Sequence, residues 1–158
     1  MDRTYSFTQK SKLGVFREII TNVAVSLPQG NSEKLENYHK TTALWDTGAT
    51  NCVITPKTVA ALGLSPISMR EVSHAGGTSV ENVYLIDILL PNGIKVGGID
   101  VTECSEQAGN FGVIIGMDVI TFGDFALTNV GGISVFSFRY PSTKTVDYVA
   151  EKRNLNKT

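Results

Sequence analysis

The sequence predicts an all-β domain, and two observations carry that expectation. Short runs rich in β-branched and aromatic residues recur along the chain, separated by Gly, Pro, Asn and Ser turn chemistry at the spacing of a compact β domain. Helix-type signals are confined to short stretches. The count is about eight or nine short strands and one or two short helices, with no internal repeat.

Taken in order, residues 1–14 are polar and are expected to form a flexible arm, with a folded domain over residues 15–140. Residues 15–27, VFREIITNVAVSL, carry strand formers and read as a strand, most secure over 19–27. Pro28-Gln29-Gly30-Asn31-Ser32 is turn chemistry. Residues 33–40 are charged and are expected to be a solvated loop or helical turn, and 41–45 return as a strand.

After Cys52-Val53-Ile54, Thr55 suits a helix cap, Pro56 its first turn and Gly63 its stop, so a short helix is expected over 57–62. Residues 65–72 and 79–90 read as the arms of a hairpin turning at His74-Ala75-Gly76-Gly77-Thr78. Pro91-Asn92-Gly93 makes a turn, 94–102 a further strand and 103–110 a polar loop. Val113-Ile114-Ile115 reads as a buried strand ended by Gly116, with one or two helical turns over 117–122. Residues 125–127 and 133–138 suggest a last hairpin. Residues 141–158 read as a polar surface extension, helical over 146–153.

Composition excludes several classes. A chain of 158 residues with 42% hydrophobic and 18% charged residues fits one globular domain with a sizeable core. A net charge of -1 gives no electrostatic footprint for nucleic acid or an anionic membrane. No apolar run approaches the ~20 residues of a membrane span. The N-terminus lacks the apolar core of a signal peptide. Cys52 and Cys104 form neither a metal spacing nor a disulfide framework, and Cys52 is expected to be a buried thiol. A reducing, cytoplasmic setting follows as the expectation. With only His39 and His74, a His-rich metal site is unavailable. His39 is expected to be solvated and His74 to be an exposed turn residue. There is no G-x-S-x-G elbow and no phosphate loop, and no cofactor is expected.

The chemistry concentrates in residues 43–50, ALWDTGAT. A carboxylate directly after an apolar strand is costly to bury unless it is hydrogen-bonded or does chemistry. Gly48 permits a tight turn there, and Thr47 supplies a hydroxyl. A second apolar concentration, FGVIIGMDVI, follows at residues 111–120. Asp118 is expected to favour the start of the short helix, Asp87 to point outward or pair locally, and Trp45 to be core.

WDTGAT at 45–50 and VIIGMD at 113–118, in this order and with a Gly-Gly hairpin between them, resemble the retropepsin-like aspartic proteases over roughly residues 19–138. The resemblance implies a closed acid-protease-like barrel that works as a homodimer, each subunit giving one Asp-Thr-Gly loop. It makes Asp46 the catalytic carboxylate, has Thr47 brace the two loops, and sets Gly48 and Ala49 against the substrate backbone. Gly76 and Gly77 lie at the tip of a flap, and Gly116 lies where a side chain would collide with backbone. Retroviral members carry an ion pair at the positions held here by the uncharged Thr50 and Met117, which points to a cellular or bacterial type of member.

Hydrolysis between two carboxylates needs both within reach of one water, and two like charges that close share a proton. The chain has one Asp-Thr-Gly and no second Asp-Thr-Gly or Asp-Ser-Gly, so it carries half of such a site. The expected partners are a second copy and an extended peptide or protein substrate. The rival expectation is a peptide-binding or assembly module on the same fold, without efficient cutting.

Overall fold

The structure, a computed structural model, describes residues 4–30, 37–104 and 109–155. The strands there are β1 (Tyr5–Lys10), β2 (Ile19–Ser26), β3 (Tyr38–Trp45), β4 (Val53–Ile54), β5 (Ser68–His74), β6 (Gly77–Leu89), β7 (Lys95–Glu103), β8 (Val113–Ile115), β9 (Asp124–Thr128) and β10 (Val135–Tyr140). The helices are α1 (Pro56–Leu62), α2 (Met117–Ile120) and α3 (Tyr148–Leu155). The domain is all-β, as the sequence predicts.

Seven strands form one sheet in the order β2-β3-β8-β4-β7-β6-β5, and a further pairing of β2 with β6 closes six of them into a ring. The closure comes from the far end of β2, where Ala24, Val25 and Ser26 pair with Leu89, Ile88 and Asp87. β5 stays outside the ring, paired with β6. β1, β10 and β9 make a separate three-stranded sheet in that order.

Strict alternation sorts side chains by face in these strands. Val23 and Val25 of β2, Ala43 and Trp45 of β3, and Val113 and Ile115 of β8 all turn inward and are buried. In β10 the inward set is Phe136 and Phe138, which pack with Phe7, Phe125 and Trp45 at ring-centroid separations of 5.0–6.1 Å. This aromatic cluster joins the three-stranded sheet to the end of β3. Trp45 meets the hydrogen-bonding need of its indole by donating from Nε1 to Thr21 Oγ1 at 2.9 Å.

α1 follows its sequence signals closely. Thr55 is the N-cap and accepts from the Thr58 N–H, Pro56 opens the first turn, and Gly63 ends the helix at φ +61°.

Four sequence expectations are corrected. Residues 5–10 of the expected flexible arm are β1, fully paired with β10 from Tyr5↔Tyr140 to Lys10↔Val135. β3 begins at Tyr38 rather than at 41, because β2 is long enough to pair with Tyr38, His39 and Lys40, so His39 is a half-buried strand residue. Residues 33–36 of the expected 33–40 loop, and 105–108 of the 103–110 loop, lie outside the described residues. α3 starts two residues later than expected. Asp87 does not point outward: it is 1% exposed.

A bulge between Ile86 and Ile88 explains Asp87, turning three consecutive side chains inward. Its carboxylate accepts from the Gln29 N–H at 2.9 Å and the Gly98 N–H at 2.8 Å, with Lys95 Nζ at 3.2 Å. One buried carboxylate therefore ties the β2–β3 connection to β7. Asp87→Ala removes the acceptor that these groups share and is expected to cost about 2–4 kcal/mol, read by chemical denaturation.

The C-terminal extension is tethered through Asp124, which accepts from Arg139, the Ser142 hydroxyl and the Thr143 N–H. The Ser142 hydroxyl foremost, then Arg139 and the Thr143 N–H, hold this carboxyl at about 2, below its ordinary value. A folded-state value below the unfolded one means that the tether contributes fully above about pH 4 and is lost as pH falls towards about 2. Protection of the Thr143 amide, taken relative to its intrinsic exchange rate at each pH, is expected to fall across that window in the native chain. Asp124→Asn abolishes the step.

Among the described residues, no helix is long and apolar enough to cross a membrane.

Candidate active site

β3 delivers Asp46. Its last residues, Ala43, Leu44 and Trp45, lie parallel to Val113, Ile114 and Ile115 of β8, and the Asp46 N–H continues that ladder by donating to the Ile115 carbonyl at 3.0 Å. The chain then turns tightly, with the Ala49 N–H donating to the Asp46 carbonyl at 3.2 Å. Within this turn the Gly48 N–H donates to Asp46 Oδ1 at 2.8 Å, fixing one carboxylate oxygen. A Cβ at Gly48 would lie 3.1 Å from that oxygen, so a side chain there presses on the carboxylate. Asp46 and Ala49 are half-buried, while Thr47 and Gly48 are exposed.

The structure thus brings Asp46, Thr47, Gly48 and Ala49 into one hydrogen-bonded loop at the surface. Gly76 and Gly77 lie on a different element, at the end of the β5–β6 hairpin. There Ala75 and Gly76 form a two-residue turn between the paired His74 and Gly77, and Gly77 takes φ +124°.

Backing the loop is the β8–α2 segment. The Met117 N–H donates to the Ala49 carbonyl at 2.8 Å, and the Asp118 N–H to the Thr50 carbonyl at 3.2 Å. A Cβ on Gly116 would come within 2.6 Å of the Asn51 carbonyl group and 2.9 Å of the Ala49 oxygen, which explains glycine there.

Asp118 departs from its expected role at the start of the short helix. It does sit in the first turn of α2, but its carboxylate accepts from the Cys52 N–H at 2.9 Å and the Cys52 thiol at 3.1 Å. Periodicity cannot show such a meeting of residues 66 positions apart; the one available signal was a carboxylate beside the apolar VIIG run.

Two clefts bear on assignment. A cleft of about 330 Å³ adjoins Asp46 and is lined by Phe16, Arg17, Glu18, Ile19, Leu44, Trp45 and Leu127. A second, of about 430 Å³, lies at the opposite end of β3, against His39, Lys40, Lys57 and residues 109–112, and holds no carboxylate. Of the two, the first holds carboxylates, those of Asp46 and Glu18. No group of three or more His, Cys, Asp or Glu suited to a metal ion occurs among the described residues.

No curated protein sequence matches the chain. Among solved structures, a retropepsin-like aspartic protease from Rickettsia conorii superposes with a TM-score of 0.54 at 11% identity, covering 87% of this chain and 96% of that one, which is a likeness of fold. The protease of Simian foamy virus (mac) covers 62% of this chain and 89% of its own at 17% identity, with a TM-score of 0.40. The sequence profile described as gag-polyprotein putative aspartyl protease matches residues 35–121, a span that takes in both the Asp46 loop and the segment behind it. With more than half its length matched, the chain belongs to this family of retropepsin-like aspartyl proteases.

Proposed function

We propose that the protein is an aspartic endopeptidase that completes its active site as a homodimer, with Asp46 of each subunit supplying one carboxylate. The observation that carries this reading is the Asp-Thr-Gly loop itself. It holds a half-exposed carboxylate in a fixed orientation at the surface, beside an apolar surface that a second chain would cover.

That surface is built by two segments. The loop around residues 11–16 is bonded to the start of β10, through Ser11 N–H to the Ser134 carbonyl and Ser134 N–H to the Gly14 carbonyl. Leu13 in that loop and Val130 in the β9–β10 connection are 91% and 87% exposed. Val15 and Leu127 are also exposed, and Leu127 lines the cleft that contains Asp46. Large apolar side chains left exposed this way favour contact with protein rather than water. β9, which carries Leu127, is an edge strand of its sheet among the described residues.

In the dimer the two Asp46 carboxyls share one proton, because two like charges that close cannot both form readily. One carboxylate takes a proton from water as it attacks the scissile carbonyl, and the protonated partner donates to the oxyanion. Thr47 braces the paired loops, and Gly48 and Ala49 meet the substrate backbone. The β5–β6 hairpin, with Gly76 and Gly77 at its tip, serves as the flap. Substrate binds extended, held by strand-like backbone bonds, with apolar side chains preferred beside the cut. The reaction needs no metal or organic cofactor.

Sedimentation across a concentration series, run beside cleavage assays, tests the reading. Activity is expected to follow the dimer fraction; full activity from a monomer would overturn it.

A further inference from the structure

Behind the Asp46 loop a buried thiol meets a half-buried carboxylate, and the proposed reaction uses neither. Cys52, which ends the loop, is 0% exposed. Its N–H and its thiol both donate to the Asp118 carboxylate, one to each oxygen, and its sulfur accepts from the Gly116 N–H at 3.3 Å. Burial, with the Asp118 carboxylate beside it, pushes the thiol well above its ordinary range, so sulfur keeps its proton and acts as a donor.

The loop from Asp46 to Cys52 is fastened to the β8–α2 segment along its whole length. Backbone bonds hold its start and middle, from Asp46 to Ile115, Ala49 to Met117 and Thr50 to Asp118. The side-chain bonds between the two segments run through Cys52 and Asp118, at the loop's exit. Thr50 and Met117 carry no charge, so no ion pair clamps the loop at those positions. A carboxylate one residue further along grips it instead, with two bonds to one residue.

We propose that Asp118 and Cys52 are positioning residues, a hydrogen-bonded latch that holds the Asp46 loop against β8 and α2 so that the Asp46 carboxyl is presented at the angle its copy requires. The proposal rests on the reading of Asp46 as half of an acid pair. It assigns the two residues a kinetic role beyond folding. Paired carboxyls must meet within a fraction of an ångström, and a displacement of about 1 Å can cost about 10²-fold in rate. Backbone bonds hold the loop at Asp46, Ala49 and Thr50, and the latch adds a side-chain grip at Cys52 that limits the remaining pivoting.

The test uses the full chain and one fluorogenic peptide that the wild type cleaves, with thermal unfolding and amide exchange at Gly48 and Ala49 followed in parallel. Asp118→Ala is expected to lower kcat by about 10–100-fold with KM changed by less than about 3-fold, and to speed exchange at both amides. Cys52→Ala lowers kcat by about 10-fold. Cys52→Ser keeps a donor for Asp118 and an acceptor for the Gly116 N–H, and restores most of that loss.

Wild-type kcat in folded Cys52→Ala and Asp118→Ala overturns the proposal, as does a Cys52→Ser variant as slow as Cys52→Ala. If the alanine variants do not fold, Asp118→Asn decides. It keeps the shape and one acceptor but turns an amide NH2 towards the thiol, and wild-type kcat in that variant overturns the latch. If wild type and Asp46→Asn both leave every peptide intact, the protease reading fails separately. Exchange at Gly48 and Ala49 then decides the latch, faster exchange supporting it and unchanged exchange overturning it.

Discussion

Asp46→Asn is expected to lower peptide cleavage by about 10³-fold or more while leaving the fold intact. The side chain's structural duty is to accept the Gly48 N–H, and the amide oxygen of asparagine can do the same. Stability should therefore change by no more than about 0.5 kcal/mol. What asparagine cannot do is share a proton across a pair. Two asparagines facing each other offer no base for water, and one asparagine facing one aspartate leaves the pair without its second ionisable group. An excess of Asp46→Asn chains mixed with wild type should consequently suppress the wild type's own activity, as mixed dimers displace active ones. Measured rates on a fluorogenic peptide, with unfolding curves for both chains, check the prediction. Undiminished cleavage by Asp46→Asn would remove this residue from the chemistry.

Phe136→Ala is expected to be the most destabilising simple truncation in the aromatic cluster, at about 3–5 kcal/mol. Phe136 is 0% exposed and lies 5.1 Å from Trp45, 5.0 Å from Phe125 and 5.7 Å from Phe7, ring centre to ring centre. Its loss removes packing from both sides of the junction between the three-stranded sheet and β3. For a chain of this size the midpoint should fall by roughly 10 °C or more, measured by calorimetry. Trp45 immediately precedes Asp46, so activity at temperatures well below the new midpoint should fall as well. A variant with an unchanged midpoint would mean that the cluster contributes little to the fold.

Local signals were the legible part of this sequence. Thr55, Pro56 and Gly63 announced α1 because caps and stops act within one turn. WDTGAT and VIIGMD marked two strands and the loops after them, and Ala75-Gly76-Gly77 marked the hairpin. What stayed hidden depends on distant partners. YSFTQK is too polar to read as a strand until β10, some 130 residues later, supplies its ladder. Asp87 reads as pointing outward or pairing locally in an alternating run, and a bulge turns it inward, where it pairs with Lys95 of the adjoining strand. At the candidate site, the carboxylate, its glycine and the backing strand were visible in the motifs. The grip of Asp118 on Cys52 was not, since no pattern of one segment specifies which donor another segment will bring.

The position of β5 outside the closed ring sets a gradient of mechanical compliance. The six ring strands brace one another on both sides, so disturbing one disturbs its neighbours. The outer arm of the hairpin is held along its length by β6, and its Met69 is 68% exposed. Little apolar burial is lost when such an arm lifts, and excursions of this kind lie at the low end of a protein's opening energies. The molecule can thus bend one appendage while the vessel beneath it stays shut.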